Sequence, residues 1–137
     1  THPEADALDR AMLEVLEEHE VELIVLAGFM KKIGPRVLEA FEGRILNIHP
    51  SLLPKFGGRG MFGQHVHRAV LAAGETVTGV SIHLVNGEYD QGRILAQAEV
   101  PVIDGDTVET LAARVLEREH AFFVETLAAL TEGRLRL

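Results

Sequence analysis

"RILNIHPSLLPKFGG", residues 44–58, is the stretch on which the reading of the fold turns. The run RILNI has the long and branched apolar side chains of a buried strand, and it leads through Asn47 into His49 and Pro50. An apolar loop follows, closed by Pro54 and the pair Gly57 and Gly58. Side chains two residues apart on a strand point the same way, so Asn47 and His49 share one side. Both fall toward the carboxyl end of their strand, where open α/β sheets form their ligand crevices. An Asn amide can donate to a developing oxyanion, and a His can carry a proton near neutral pH. Pro50 and Pro54 stiffen the exit. Spacing alone leaves a plainer reading open, an Asn in an Asx turn beside a surface His.

Upstream, residues 4–19 place Ala5, Leu8, Met12, Val15, Leu16 and His19 at steps of three and four, which predicts an amphipathic helix with that set facing inward. VELIVLAGF, residues 21–29, is short, apolar and unalternating, as expected of a parallel strand covered on both faces. Gly34 and Pro35 start a helix that runs to about Glu42, where Gly43 stops it. Downstream, QHVHRAVLAAG reads as a helix ended by Gly74, and TVTGVSIHLV as a strand. RILAQAEVPV is a further strand joined to it through the turn NGEYDQG. Asp106 and Thr107 cap a long final helix with Glu109 in its first turn. No repeat, linker or low-complexity segment interrupts this alternation of strand and helix, which predicts α/β with a partly parallel sheet.

The 137 residues are 47% apolar, enough for the core of one domain. The lack of cysteine excludes a disulfide framework or a thiolate metal site and is compatible with a reducing cytosol. No apolar run approaches the roughly 20 residues that cross a bilayer. The opening THPEADALDR has no basic-then-apolar leader pattern, so the expected setting is cytoplasmic, with no membrane partner. A net charge of −8 argues against a general affinity for nucleic acid. Between Gly28 and Arg68, however, seven basic residues face two acids. Such a block would focus an anionic small molecule, unless the charges scatter over solvated faces.

Five further positions stand out. Asp90 sits in a glycine-flanked loop at a strand end, where it either orients His49 or makes the turn. His83 lies within a strand and reads as a satisfied, half-buried histidine. On the final helix Val108, Leu111, Ala112, Val115, Phe122, Val124 and Leu127 mark an apolar side into which Glu119 falls, and an inward carboxylate is costly unless something pairs with it or a cleft receives it. His65 and His67 form an H-x-H pair at a helix start, but that spacing separates their side chains and no third ligand is evident, so no metal is expected.

The segments LAGFM, NIHPSLLPKF, GVSIHLV, YDQGRILAQAEVPV and ARVLEREH follow one another as they do in the phosphoribosylglycinamide formyltransferases, folate-dependent enzymes of purine synthesis, and the chain resembles that family from Ala5 to its end. The resemblance implies a Rossmann-like formyltransferase fold, a mostly parallel sheet with flanking helices. It further implies that residues 1–137 are a single domain, the carboxyl-terminal two-thirds of the family's length, without the amino-terminal strand, glycine-rich turn and helix.

The activity implied is transfer of a formyl group from 10-formyltetrahydrofolate, the cosubstrate, to the amine of glycinamide ribonucleotide, without a metal. Carried over by motif, Asn47 and His49 would polarise the formyl oxygen and stabilise the tetrahedral intermediate. Asp90 would hold His49 protonated and relay the proton lost by the amine. The pterin pocket would comprise Leu26, Phe29, Met30, Lys31, Lys32, Ile33, Leu38, Leu46, Asn47, Asn86, Gly87 and Glu88, and Glu119 would contact the ribonucleotide. Four features differ from the family pattern: the 57–63 loop is longer, Lys32 replaces an apolar residue, Leu116 stands where a Gln is common, and the arginine often found near the opening of the first helix is absent around Glu4 to Asp6.

Formyltetrahydrofolate hydrolysis, a folate-binding fragment without turnover, and a purely structural α/β domain are the competing readings. Methionyl-tRNA formylation fits the acidic balance poorly. The expected partners are small molecules. The oligomeric state is open, with a homodimer admitted.

Overall fold

The computed structural model describes residues 3–27, 33–58, 60–86 and 92–137. The order is α1 (Pro3–Glu18), β1 (Ile24–Leu26), α2 (Pro35–Ala40), β2 (Ile45–His49), α3 (Gln64–Ala72), β3 (Val77–Leu84), β4 (Ile94–Pro101) and α4 (Val108–Thr131). The strands lie in one sheet in chain order. β1 and β2 pair in parallel, as a crossover through a helix allows, while β2–β3 and β3–β4 are antiparallel. The parallel character of the sheet therefore resides in the first pair. The segment from Pro50 through α3 brings the chain back to the end of the sheet that β2 left, so β3 runs in the opposite direction.

Strand alternation sorts the core into two clusters. Leu46, Val80, Ile82 and Val100 meet Val66 and Val70 of α3 and Leu111, Val115 and Phe122 of α4. On the other side Ile45 meets Ile33, Val37 and Phe41, with Met12, Leu13 and Leu16 of α1, Ile24, Leu26, Leu38 and Val85 packed around them. Ile24 and Leu26 of β1 and Ile45 of β2 thus face α1 and α2, while Leu46 of β2 faces α3 and α4.

Two amphipathic assignments shift. On α1, Leu8 and Val15 are 57% and 52% exposed, and Ala5 and His19 are exposed too. The inner face is Asp9, Met12, Leu13 and Leu16, one residue further round. Asp9 sets this rotation: its carboxylate accepts from the backbone N–H of Arg36 at 3.0 Å and of Val37 at 3.3 Å, capping α2 from a different helix. Gly34, the N-cap of α2, has no side chain to do this, and a Cβ there would lie 2.2 Å from the Asp9 carboxyl carbon. On α4, Val124 is 69% exposed, because it lies two residues, about 200°, beyond Phe122. Phe123 and Thr126 take the inward positions instead. The start of α4 is as expected: Thr107 and Thr110 form a capping box, and Arg114 grips the Asp106 carboxylate with two bonds of 2.7 and 2.8 Å. That grip holds the Asp106 carboxyl well below the usual carboxylate range.

Candidate active site

Beyond Ile45 the α1/α2 face of the sheet turns polar. Asn47 and His49 point to this side, and the register supplies neighbours: Asn47 is opposite His83, His49 is opposite Ser81, and Ser81 is opposite Gln97. Leu26 of β1 is the rung beside Asn47. An amide, two imidazoles, a hydroxyl and a second amide therefore occupy one patch, assembled from three strands.

The bonds within this patch fix how its groups can act. His83 Nδ1 lies 3.0 Å from the Leu84 carbonyl, which can only accept, so Nδ1 carries a proton. In that tautomer Nε2 offers a lone pair to Asn47 Nδ2 at 3.3 Å. This sets the amide with its nitrogen toward His83 and commits one of its two N–H groups there. His83 is the satisfied histidine expected, only 2% exposed, and it also orients Asn47.

His49 closes β2 and is 3% exposed. Its Nε2 is 2.7 Å from the Phe56 carbonyl. By the same logic Nε2 is the donor whether the ring is neutral or charged, and the proton that comes and goes is the one on Nδ1. His67, on α3, is nearly buried, and its Nδ1 has no hydrogen-bond partner among the described residues. Burial first, and then the nearby His49, hold His67 below the ordinary histidine value, so it disfavours a second positive charge beside His49. His65, by contrast, is exposed and meets Phe62 edge-on, so the two histidines of the H-x-H pair do not converge.

The loop after β2 folds onto the polar patch. Ser51 and Leu53 are buried, and Leu52 approaches Gly79 of β3 so closely that a Cβ there would lie 2.5 Å from the Leu52 side chain and 2.2 Å from the Ala98 carbonyl. Nothing in the sequence pattern singles out Gly79. The roles of Ser81, Gln97 and the Phe56 carbonyl go unmarked in sequence, because their signal is cross-strand register, which no local pattern contains.

Leu26, Ile33 and Leu38, expected in the pterin pocket, gather with Val85 on the α1/α2 side, next to the patch. The Leu46 side chain faces α3 and α4 on the opposite side. Asn86 is exposed. Asp90 lies outside the described residues, as do Phe29, Met30, Lys31, Lys32, Gly87 and Glu88. The Leu84 N–H bonds the Arg93 carbonyl at 2.9 Å, beside the Leu46–Leu84 rung. Of the basic block, Arg36 pairs with Asp6, Arg44 bonds the Ala40 and Glu22 carbonyls and stacks on Phe41, and Lys55 pairs with Glu75. Those charges are committed to structure. Glu119 is half-buried, and burial pushes its carboxyl up to about 7. A small, open apolar pocket is lined by Val25, Leu46, Asn47 and Ile82 of the sheet and by Phe123, Thr126 and Leu127 of α4.

A mixed sheet flanked by helices, with an Asn–His strand end folded under a proline-bounded loop, is the frame of a known family. The chain belongs to the formyl transferase family, whose model matches residues 2–127. It is 50% identical over 125 residues to the chloroplastic phosphoribosylglycinamide formyltransferase of Arabidopsis thaliana, covering 91% of this chain and 43% of that protein. The crystal structure of glycinamide ribonucleotide transformylase 1 from Symbiobacterium toebii is 43% identical and superposes with a TM-score of 0.87 over 99% of this chain and 62% of that one. A formyltetrahydrofolate deformylase from Pseudomonas syringae is more distant, at 25% identity and a TM-score of 0.82 over 93% of this chain and 41% of that one. The chain thus spans about two-fifths of the plant relative's length and under two-thirds of the Symbiobacterium chain.

Proposed function

We propose that this chain contributes the reacting half of a phosphoribosylglycinamide formyltransferase, which passes the formyl group of 10-formyltetrahydrofolate to the amine of glycinamide ribonucleotide. The observation that carries this reading is the oriented pair on one face of β2: Asn47 set by His83, and His49 set by the Phe56 carbonyl. The names of relatives at about half identity support it.

In this reading the amine nitrogen bonds to the formyl carbon while the carbonyl oxygen gathers negative charge. The second N–H of Asn47 donates to that oxygen, preorganised and partly shielded from water. His49 serves through Nδ1, holding a proton near the oxyanion. Asp90 supports the charged imidazole and takes the proton that the amine must lose before the bond to the folate nitrogen breaks. Leu26, Ile33, Leu38 and Val85 suit the folate's flat ring, because they form an apolar wall beside a polar edge. Glu119 is proposed as the ribonucleotide contact. The proposed setting is cytoplasmic, although the Arabidopsis relative is named chloroplastic.

The test is a formyl-transfer assay on this chain and on the complete polypeptide that carries it, comparing wild type with Asp90→Asn. Ribonucleotide-dependent loss of the formyl group that drops at least about 100-fold in the variant is expected; wild-type turnover in the variant would remove Asp90 from the mechanism. A second reading, hydrolysis, is favoured only by the structural likeness to the deformylase. Formate release without any need for ribonucleotide would select it.

A further inference from the structure

Hydrogen bonds connect the edge strand β4 to the loop whose Phe56 carbonyl holds His49, through Gln97, Ser81 and Ser51, none of which is placed in the chemistry. The Gln97 amide nitrogen donates to Ser81 Oγ at 2.9 Å and to the Leu53 carbonyl at 2.9 Å, which uses both of its N–H groups. Ser81 Oγ donates to the Ser51 carbonyl at 2.7 Å and accepts from the Leu53 N–H at 3.0 Å, so with Gln97 its one donor and two acceptor positions are filled. Ser51 Oγ in turn donates to the Lys55 carbonyl at 2.7 Å, closing the turn. The next carbonyl along is that of Phe56, which receives His49 Nε2–H at 2.7 Å. Ser81 and Ser51 are fully buried, so leaving the partner of either hydroxyl unsatisfied is costly.

We propose that Gln97 and Ser81 are positioning residues: they pin the 51–56 loop at the height that keeps the Phe56 carbonyl on His49 Nε2, confining the exchangeable proton of the imidazole to Nδ1. Without the pin the loop can lift, the ring can rotate or change tautomer, and the wrong nitrogen faces the reacting carbon. The catalytic consequence rests on the formyl-transfer reading, whereas the control of the tautomer does not.

The test compares wild type with Gln97→Glu, which keeps the shape but cannot donate when ionised, with Ser81→Ala, and with the double variant. Long-range ¹H–¹⁵N spectra of the imidazoles report the His49 tautomer, and kcat, KM and thermal midpoint are measured on the same samples. Wild type should show His49 protonated at Nε2. Gln97→Glu should mix the tautomers and lower kcat by about 10- to 100-fold with KM little changed, the cost of a small misplacement. Gln97 is exposed on an edge strand, so its variant should fold even where Ser81→Ala does not. The double variant should lose no more than the worse single one. Unchanged His49 spectra, or a lowered midpoint with kcat intact, would overturn the proposal. A wild type that transfers no formyl group defeats the proposed function, but the spectra still decide the pin.

Discussion

The two faces of the sheet solve burial differently. On the α3/α4 face, Leu46, Val80, Ile82 and Val100 are removed from water by Leu111, Val115 and Phe122, and no single pairing matters more than the volume filled. On the far end of the opposite face, Asn47, His49, Ser81 and His83 gather in a polar patch, the 51–56 loop bonding His49 and Ser81, and each has a bond partner at a stated atom. Apolar packing tolerates changes of shape that preserve volume. A buried hydrogen-bonded patch does not, since an unmatched donor or acceptor costs more than a matched one gains. The apolar face therefore supplies stability, and the polar face spends some of it to hold particular atoms in particular places.

Substitution on each face separates these roles. His49→Ala should lower formyl transfer by about 10²- to 10⁴-fold, the range for losing a positioned proton carrier, and leave most of the fold intact. Asn47→Ala should cost about 10²- to 10³-fold, the range for one oxyanion donor. Near-normal turnover in either would detach the polar face from the chemistry. Leu111→Ala, on the apolar face, should cost about 2–5 kcal/mol of stability by urea unfolding, with the turnover of the folded fraction preserved. A fall in turnover per folded molecule comparable to that of His49→Ala would erase the distinction.

This contrast also governs what could be read without coordinates. The strands, the helices and the Thr107 cap are legible because each rests on local pattern: periodicity, a proline, a glycine, a capping residue. Asn47 and His49 stand out for the same reason, being polar residues on an apolar strand. The rotation of α1 is not legible, because Asp9 reads as one more outer acid until α2 is placed against it. Nor is the contribution of Gln97, which looks like an ordinary outward residue of an edge strand. Its partners, Ser81 and Leu53, lie 16 and 44 residues away, and only the register of three strands brings them together.

Gly79 tests how tightly the loop presses on the polar face. Gly79→Ala would force the Leu52 side chain and the β4 backbone apart, since the added carbon would meet both. The expected cost is about 1–3 kcal/mol, typical of overpacking. Turnover should fall with it, because Leu52 belongs to the loop that carries the Phe56 carbonyl. A stable Gly79→Ala protein with normal turnover would show that the loop can sit higher than it does without disturbing His49.

The smallest expected effect concerns a charge on the otherwise apolar stripe of α4. Glu119 lies between Val115 and Phe122, and burial raises its carboxyl from 4.5 to about 7. Between those values the folded chain retains a proton that the unfolded chain has released, so stability falls as the pH rises through this window, and the full penalty persists above it. Glu119→Gln removes the charge and keeps the shape. It should stabilise the protein by about 1 kcal/mol at pH 8, a figure reduced for the screening of a half-exposed group, and leave it unchanged at pH 4. Urea midpoints at the two pH values check this, and equal shifts at both would mean that the carboxylate is not penalised by burial. If Glu119 also contacts the ribonucleotide, the stabilised variant should bind that substrate more weakly, so that the one acid on the apolar stripe follows the rule of the polar face, where position is retained at the expense of stability.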